Sequence, residues 1–127
     1  MVERLNASEC VLRPVETLDR ARSFLRDRLG LTELLSRPGL ACFDMAGVPL
    51  ILRETGQRVE ADPLYFGVVD IRSAHEVLRG RGVVFLRGPH LREQRPDGSE
   101  EWVALFSDDE GRTLALHAVT PPRERLS

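Results

Sequence analysis

Apolar residues follow two rhythms along this chain. Leu18, Ala21, Phe24 and Leu25 fall at helical spacing, and so do Ile71, Ala74 and Leu78. The spacing predicts helices over 17–29 and 70–81. Each opens on a residue suited to N-capping, Thr17 or Asp70, and a glycine stops each, Gly30 in the first and Gly80 or Gly82 in the second. Elsewhere the pattern shortens to strand-length runs: TELLS (32–36), ACFDMAG (41–47), VPLILRE (48–54), VVFLR (83–87), EWVALFS (101–107) and RTLALHA (112–118). Pro38-Gly39, Ala46-Gly47, Gly88-Pro89 and Asp97-Gly98 part these runs.

The two rhythms recur together at a shift of 53 residues, where Val15 matches Val68, Ala21 matches Ala74, Leu25 matches Leu78 and Arg26 matches Arg79. Each unit reads as a strand, a capped helix, a glycine and three further strands. The fold class expected is α+β: two βαβββ modules forming a cupped mixed sheet with the helices on its outer face. Module one covers about 9–54 and module two about 63–118, within a single domain 1–127. The stretch ETGQRVEAD (54–62) joins the modules, and the tail TPPRERLS is expected to fray.

Composition narrows the function. At 127 residues with 42% hydrophobic content, the chain can bury one core. No apolar run approaches the roughly 18 residues that cross a bilayer, and MVERLNASEC has no apolar leader segment, so a cytoplasmic protein without a membrane partner is expected. Cys10 and Cys42 match no paired metal spacing and read as small hydrophobes in a reducing compartment. All 18 basic residues are arginine, which excludes Schiff-base and P-loop chemistry because both need a lysine amine. The net charge of −2 argues against nucleic acid as a partner.

PVETLDRARSFLRDRLGL resembles the opening helix motif of the glyoxalase/bleomycin-resistance/dioxygenase superfamily, also called vicinal oxygen chelate proteins. FSDDEGRTLALH is similar to that family's closing F-x-D-P-x-G-N-x-x-E-L stretch, and the resemblance covers about residues 9–118. It implies two βαβββ modules around a cup, commonly in a homodimer whose modules pair across chains. It also places the family's four metal ligands on Cys10, Pro63, Ile51 and Ala115. Proline, isoleucine and alanine offer a cation nothing, so neither a metal nor another cofactor is expected. Cys10, His90 and His117 could make a three-ligand zinc site only if all three converge. His90 is read as a loop residue and His75 as exposed.

Taking Cys10 and Ala115 as facing the cup, strand alternation adds Leu12, Pro14, Pro49, Ile51, Arg53, Pro63, Tyr65, Gly67, Thr113 and His117 to that face. It sends Arg13 to the helix side, which raises a slip or bulge in the first strand, and it leaves Phe43 in the core. Trp102 is read as facing inward, with Val103 on the helix side. The ligand-contact set is therefore Arg53, Tyr65, Trp102, His117, Leu12 and Ile51, with no catalytic residue assigned. The function expected is a metal-independent protein that sequesters or carries a small aromatic ligand in a cup between modules, as in the antibiotic-resistance branch. A cationic drug of the bleomycin type fits poorly, because the chain lacks an acidic cleft and has Arg53 at the mouth. The alternative is a lyase, isomerase or dioxygenase of the same superfamily, drawing on Cys10, Tyr65, His117 or Glu54.

Overall fold

The computed structural model describes residues 10–122. The chain divides into two compact units, one ending at Ala61 and the other starting at Asp62. Each holds one four-stranded mixed sheet and one helical segment. No helix among the described residues is long and apolar enough to cross a membrane.

In the first unit β1 (Val11–Val15) leads to α1 (Leu18–Ser23), which widens into a π-turn over Phe24–Arg28. Then come β2 (Thr32–Arg37), β3 (Leu40–Met45) and β4 (Val48–Glu54) in the order β1-β4-β3-β2, with β1 and β4 parallel. Leu18, Ala21, Phe24 and Leu25 are buried on the helix, and Val15, Ala41, Phe43, Leu50 and Leu52 on the sheet face it covers. Each of the valine, leucine and phenylalanine side chains contributes about 1.5–3 kcal/mol by leaving water. Arg13 is buried on this same face, and the β1–β4 register runs without a break from Val11 to Val15. The strand has no slip; the arginine is simply there. Thr17 sits at the N-cap with an extended backbone but makes no side-chain cap bond. The free N–H of Leu18 is taken instead by Glu54 Oε2 at 2.7 Å, from the end of β4.

The second unit runs β5 (Tyr65–Gly67), α2 (Ile71–Gly80), β6 (Phe85–Gln94), β7 (Glu100–Ser107) and β8 (Thr113–Thr120). Its order is β5-β8-β7-β6, with β5 and β8 parallel. Here the N-cap works as its residue type suggests: Asp70 Oδ1 accepts from the N–H groups of Arg72 and Ser73, both at 3.1 Å. The helix ends at Gly80, and Gly82, at φ 86°, supplies the left-handed residue beyond it. Phe106 is fully buried against Phe66 and Phe85, and Leu114, Leu116, Ala104 and Ala118 fill the same face.

Three expectations change in this unit. His75 is half-buried, its ring edge-on to Phe85 with centroids 4.4 Å apart. Gly88-Pro89 does not break the chain; it lies inside β6, so His90 is a strand residue. The edge position of β6 and the three shifts in its register with β7 explain why a proline is tolerated there. Of the tail, Pro121 and Pro122 follow β8, and the expected fraying from Arg123 onward lies outside the described residues.

Candidate functional site

One face of each sheet carries the helix; the other is open. In the first unit the register sets Leu12 beside Ile51, Pro14 beside Arg53, and Cys42 beside Ile51. Leu12 and Arg53 are exposed and Ile51 is half-buried, on the face opposite Leu50 and Leu52. Strand alternation thus places these three residues as expected. Among the described residues this face is apolar at its middle, around Leu12, Cys42 and Ile51, and carries Arg37 and Arg53 toward one end and Thr32 and Asp44 toward the other.

The second unit's open face is built differently. Tyr65 aligns with Ala115 and Gly67 with His117 across β5 and β8, while Leu105 and Val103 of β7 pair with Ala115 and His117. Two residues along from Val103, Glu101 lies on the same face with only 9% of its side chain exposed. Its Oε1 accepts from Arg92 Nη1 at 2.9 Å and lies 3.4 Å from His117 Nε2, and its Oε2 accepts from Arg95 Nη2 at 3.3 Å. The Arg92 guanidinium also lies over the Tyr65 ring, 5.7 Å from its centroid, and Tyr65 meets His117 edge-on at 6.5 Å. A carboxylate is thus held nearly dry by two guanidinium groups and an imidazole, with one aromatic ring beside them. Burying it is tolerable because both of its oxygens are met by guanidinium donors.

Trp102 is not part of this group. It pairs with Ala118 and shares the helix-covered face with Ala104 and Phe106, and Arg72 of α2 stands over its ring at 5.6 Å. Val103, expected on the helix side, is buried on the open face. Trp102 instead walls a groove of about 970 Å³ beside the start of α2, bounded also by Asp97, Glu100 and Pro122. Glu101, Arg92 and Arg95 were not found by pattern. The signal that reaches Glu101 and corrects Trp102 is hairpin arithmetic: with the turn at 108–112 and Ala115 on the open face, Leu105, Val103 and Glu101 must lie on that face too. No such count gives Arg92, because a register shift between Leu91 and Glu93 delivers it.

Of the four positions that the resemblance gives to metal ligands, three hold no donor side chain, and the fourth is the exposed Cys10. Ile51 and Ala115 face the open side and have no donor atom, and Pro63 precedes β5. The zinc alternative also finds no geometry: among the described residues no three of His, Cys, Asp and Glu gather. His90 Nδ1 lies 2.9 Å from the Gly88 carbonyl, and His117 is turned to Glu101.

No family model and no curated protein matches this chain by sequence. Solved structures do match its fold. A glyoxalase/bleomycin resistance protein/dioxygenase from Alicyclobacillus acidocaldarius is similar at TM-score 0.72 and 16% identity, over 89% of this chain and 91% of that one. A protein of the same description from Nocardioides is similar at TM-score 0.68 and 20% identity, over 100% and 93%. An integron cassette protein from the mobile metagenome of V. cholerae is similar at TM-score 0.75 and 16% identity, over 93% and 98%. The fold is that of the glyoxalase/bleomycin resistance/dioxygenase proteins.

Proposed function

We propose that this chain is a metal-independent binding protein of the glyoxalase/bleomycin-resistance type, which sequesters or carries a small aromatic molecule on its open sheet faces. The observation that carries the reading is the replacement of metal donors by a different kind of polar site. Hydrocarbon stands at Ile51 and Ala115, while Tyr65, His117 and Arg92 gather over Glu101. Pockets that bind without chemistry are mostly apolar with a few fixed polar groups, and Leu12, Ile51 and Arg53 supply a second surface of that character. The proposal includes a second copy of the chain, since edge strands β2 and β6 present exposed Leu34, Leu35, Leu86 and Leu91. It also includes a cytoplasmic setting, which the free thiols of Cys10 and Cys42 favour.

The test is calorimetry in buffer containing a chelator, with a panel of monocyclic and bicyclic aromatics. At least one should bind saturably, and Tyr65→Ala should weaken it roughly three- to tenfold, the range expected for one ring contact of about 0.5–1.5 kcal/mol. Turnover that appears only on adding a divalent metal would overturn the reading.

A further inference from the structure

The composition of the Glu101 group says more than that something aromatic binds there. We infer, building on the binding reading above, that the open face of the second unit selects an aromatic acid: a flat ring bearing a carboxylate or a comparable planar oxyanion. Tyr65 would meet the ring, and Arg92 with Arg95 would meet the acid.

Charge and access both lead there. Arg92 and Arg95 each give a nitrogen to Glu101, yet their side chains remain 55% and 42% exposed. A guanidinium has five N–H donors, so one bond to Glu101 leaves most of its donor capacity unused by that bond. Glu101 is buried beneath its partners, both of its oxygens already engaged. An incoming ligand therefore meets the two guanidinium groups before the Glu101 carboxylate. Glu93, in register with Glu101 across the β6 irregularity, is exposed and joins none of these ion pairs among the described residues.

Glu101 is then a positioning residue. It fixes two long side chains that would otherwise lose rotamer freedom on meeting a ligand. Arg92 also spans the two parts of the site, since the same guanidinium lies over Tyr65 and pairs with Glu101. An acid group coplanar with its ring can reach the free edge of that guanidinium while the ring lies against Tyr65. Cationic aromatics meet repulsion at the same point, and neutral ones gain only the ring contact.

The experiment titrates the protein with 1-naphthoate, 1-naphthamide and 1-naphthylmethylammonium, three probes that share a ring and differ in charge. Naphthoate should bind at least about tenfold more tightly than naphthamide, as a charge-assisted hydrogen bond implies, with the ammonium weakest. Added salt should weaken naphthoate and leave naphthamide nearly unchanged. Arg92→Gln should remove most of the naphthoate advantage while changing naphthamide less than about threefold. Arg95→Gln should remove part of it, and serves if Arg92→Gln is poorly folded. Arg72→Gln removes the same charge on the helix-covered side and should leave all three affinities in place. Equal affinity for the three probes would overturn the charge selection and leave the binding reading standing. Failure of every naphthalene to bind would overturn both.

Discussion

The two modules share their wiring and differ at their joints. In module one the β3–β4 hairpin closes with two residues, Ala46 and Gly47, between paired Met45 and Val48, and Asp44 Oδ1 accepts the Gly47 N–H at 2.8 Å. In module two the equivalent β7–β8 hairpin closes with a longer turn around Asp108. That carboxylate accepts from the N–H groups of Glu110 and Arg112 and from Arg112 Nε, all within 2.9 Å, and Arg112 Nη2 reaches Glu110. Only 3% of the Asp108 side chain and 1% of the Arg112 side chain are exposed. The helix starts differ in the same direction. Asp70 caps its own helix in module two, whereas in module one a residue at the far end of β4 does so. Identical topology thus fixes where a strand and a helix must meet, and leaves open which side chain satisfies the backbone there.

The largest effect should come from the hairpins. Asp108→Ala removes the carboxylate that accepts three bonds in this buried turn, breaks the buried pair with Arg112, and should lower stability by about 3–5 kcal/mol. Asp44→Ala removes one exposed hydrogen bond and should lower it by about 0.5–1.5 kcal/mol. Urea unfolding followed by circular dichroism measures both, and Trp102, the only tryptophan, adds a fluorescence signal from module two. Equal losses would mean that the buried pair carries nothing special and that the two turns are energetically alike.

The helix starts give the next contrast. Asp70→Ala should lower stability by about 1 kcal/mol, the usual loss of a capping carboxylate. Thr17→Ala should stay within about 0.5 kcal/mol, because its hydroxyl caps nothing. Glu54→Ala should behave like Asp70→Ala, since it is Glu54 that takes the Leu18 N–H. Thermal denaturation of the three variants side by side checks the assignment. A loss at Thr17 matching that at Asp70 would restore the symmetric reading of the two caps.

This asymmetry marks where the sequence stops being readable. The 53-residue repeat carries the strands and helices because each sits on periodic burial, and Leu18, Ala21, Phe24 and Leu25 bury as their spacing requires. Thr17 looks like Asp70 in type and place, but the group that takes the Leu18 N–H lies 36 positions from it on β4, and no local pattern contains Glu54. The facing of Trp102 fails for a related reason. Both faces of β7 are buried, Glu101 and Val103 on one and Ala104 and Phe106 on the other, so polarity no longer tells them apart. In β6 the irregularities carry Gly88-Pro89 into the strand and bring Arg92 to Glu101, which period-two reasoning has no means to anticipate. Leu12, Ile51 and Arg53 were legible because β1 and β4 run without a shift.

The smallest effect is a gain, and it tests the shorter hairpin on its own terms. Ala46 adopts φ 51° and Gly47 φ 88°, the positive pair of a two-residue turn whose twist suits the flanking strands. Glycine takes such angles freely, and asparagine tolerates them through local hydrogen bonding, but alanine meets its own Cβ against the backbone. Ala46 is exposed, so a larger polar side chain faces water rather than the core. Ala46→Asn should therefore raise stability by about 0.5–1 kcal/mol, as turn replacements at compatible angles do. Ala46→Gly should gain less, because glycine relieves the same strain but gives the unfolded chain more freedom to lose. The paired melting curves decide the matter. If Ala46→Asn melts no higher than the parent, the hairpin holds alanine without strain, and module one's turn is as well matched to its sequence as the buried turn of module two.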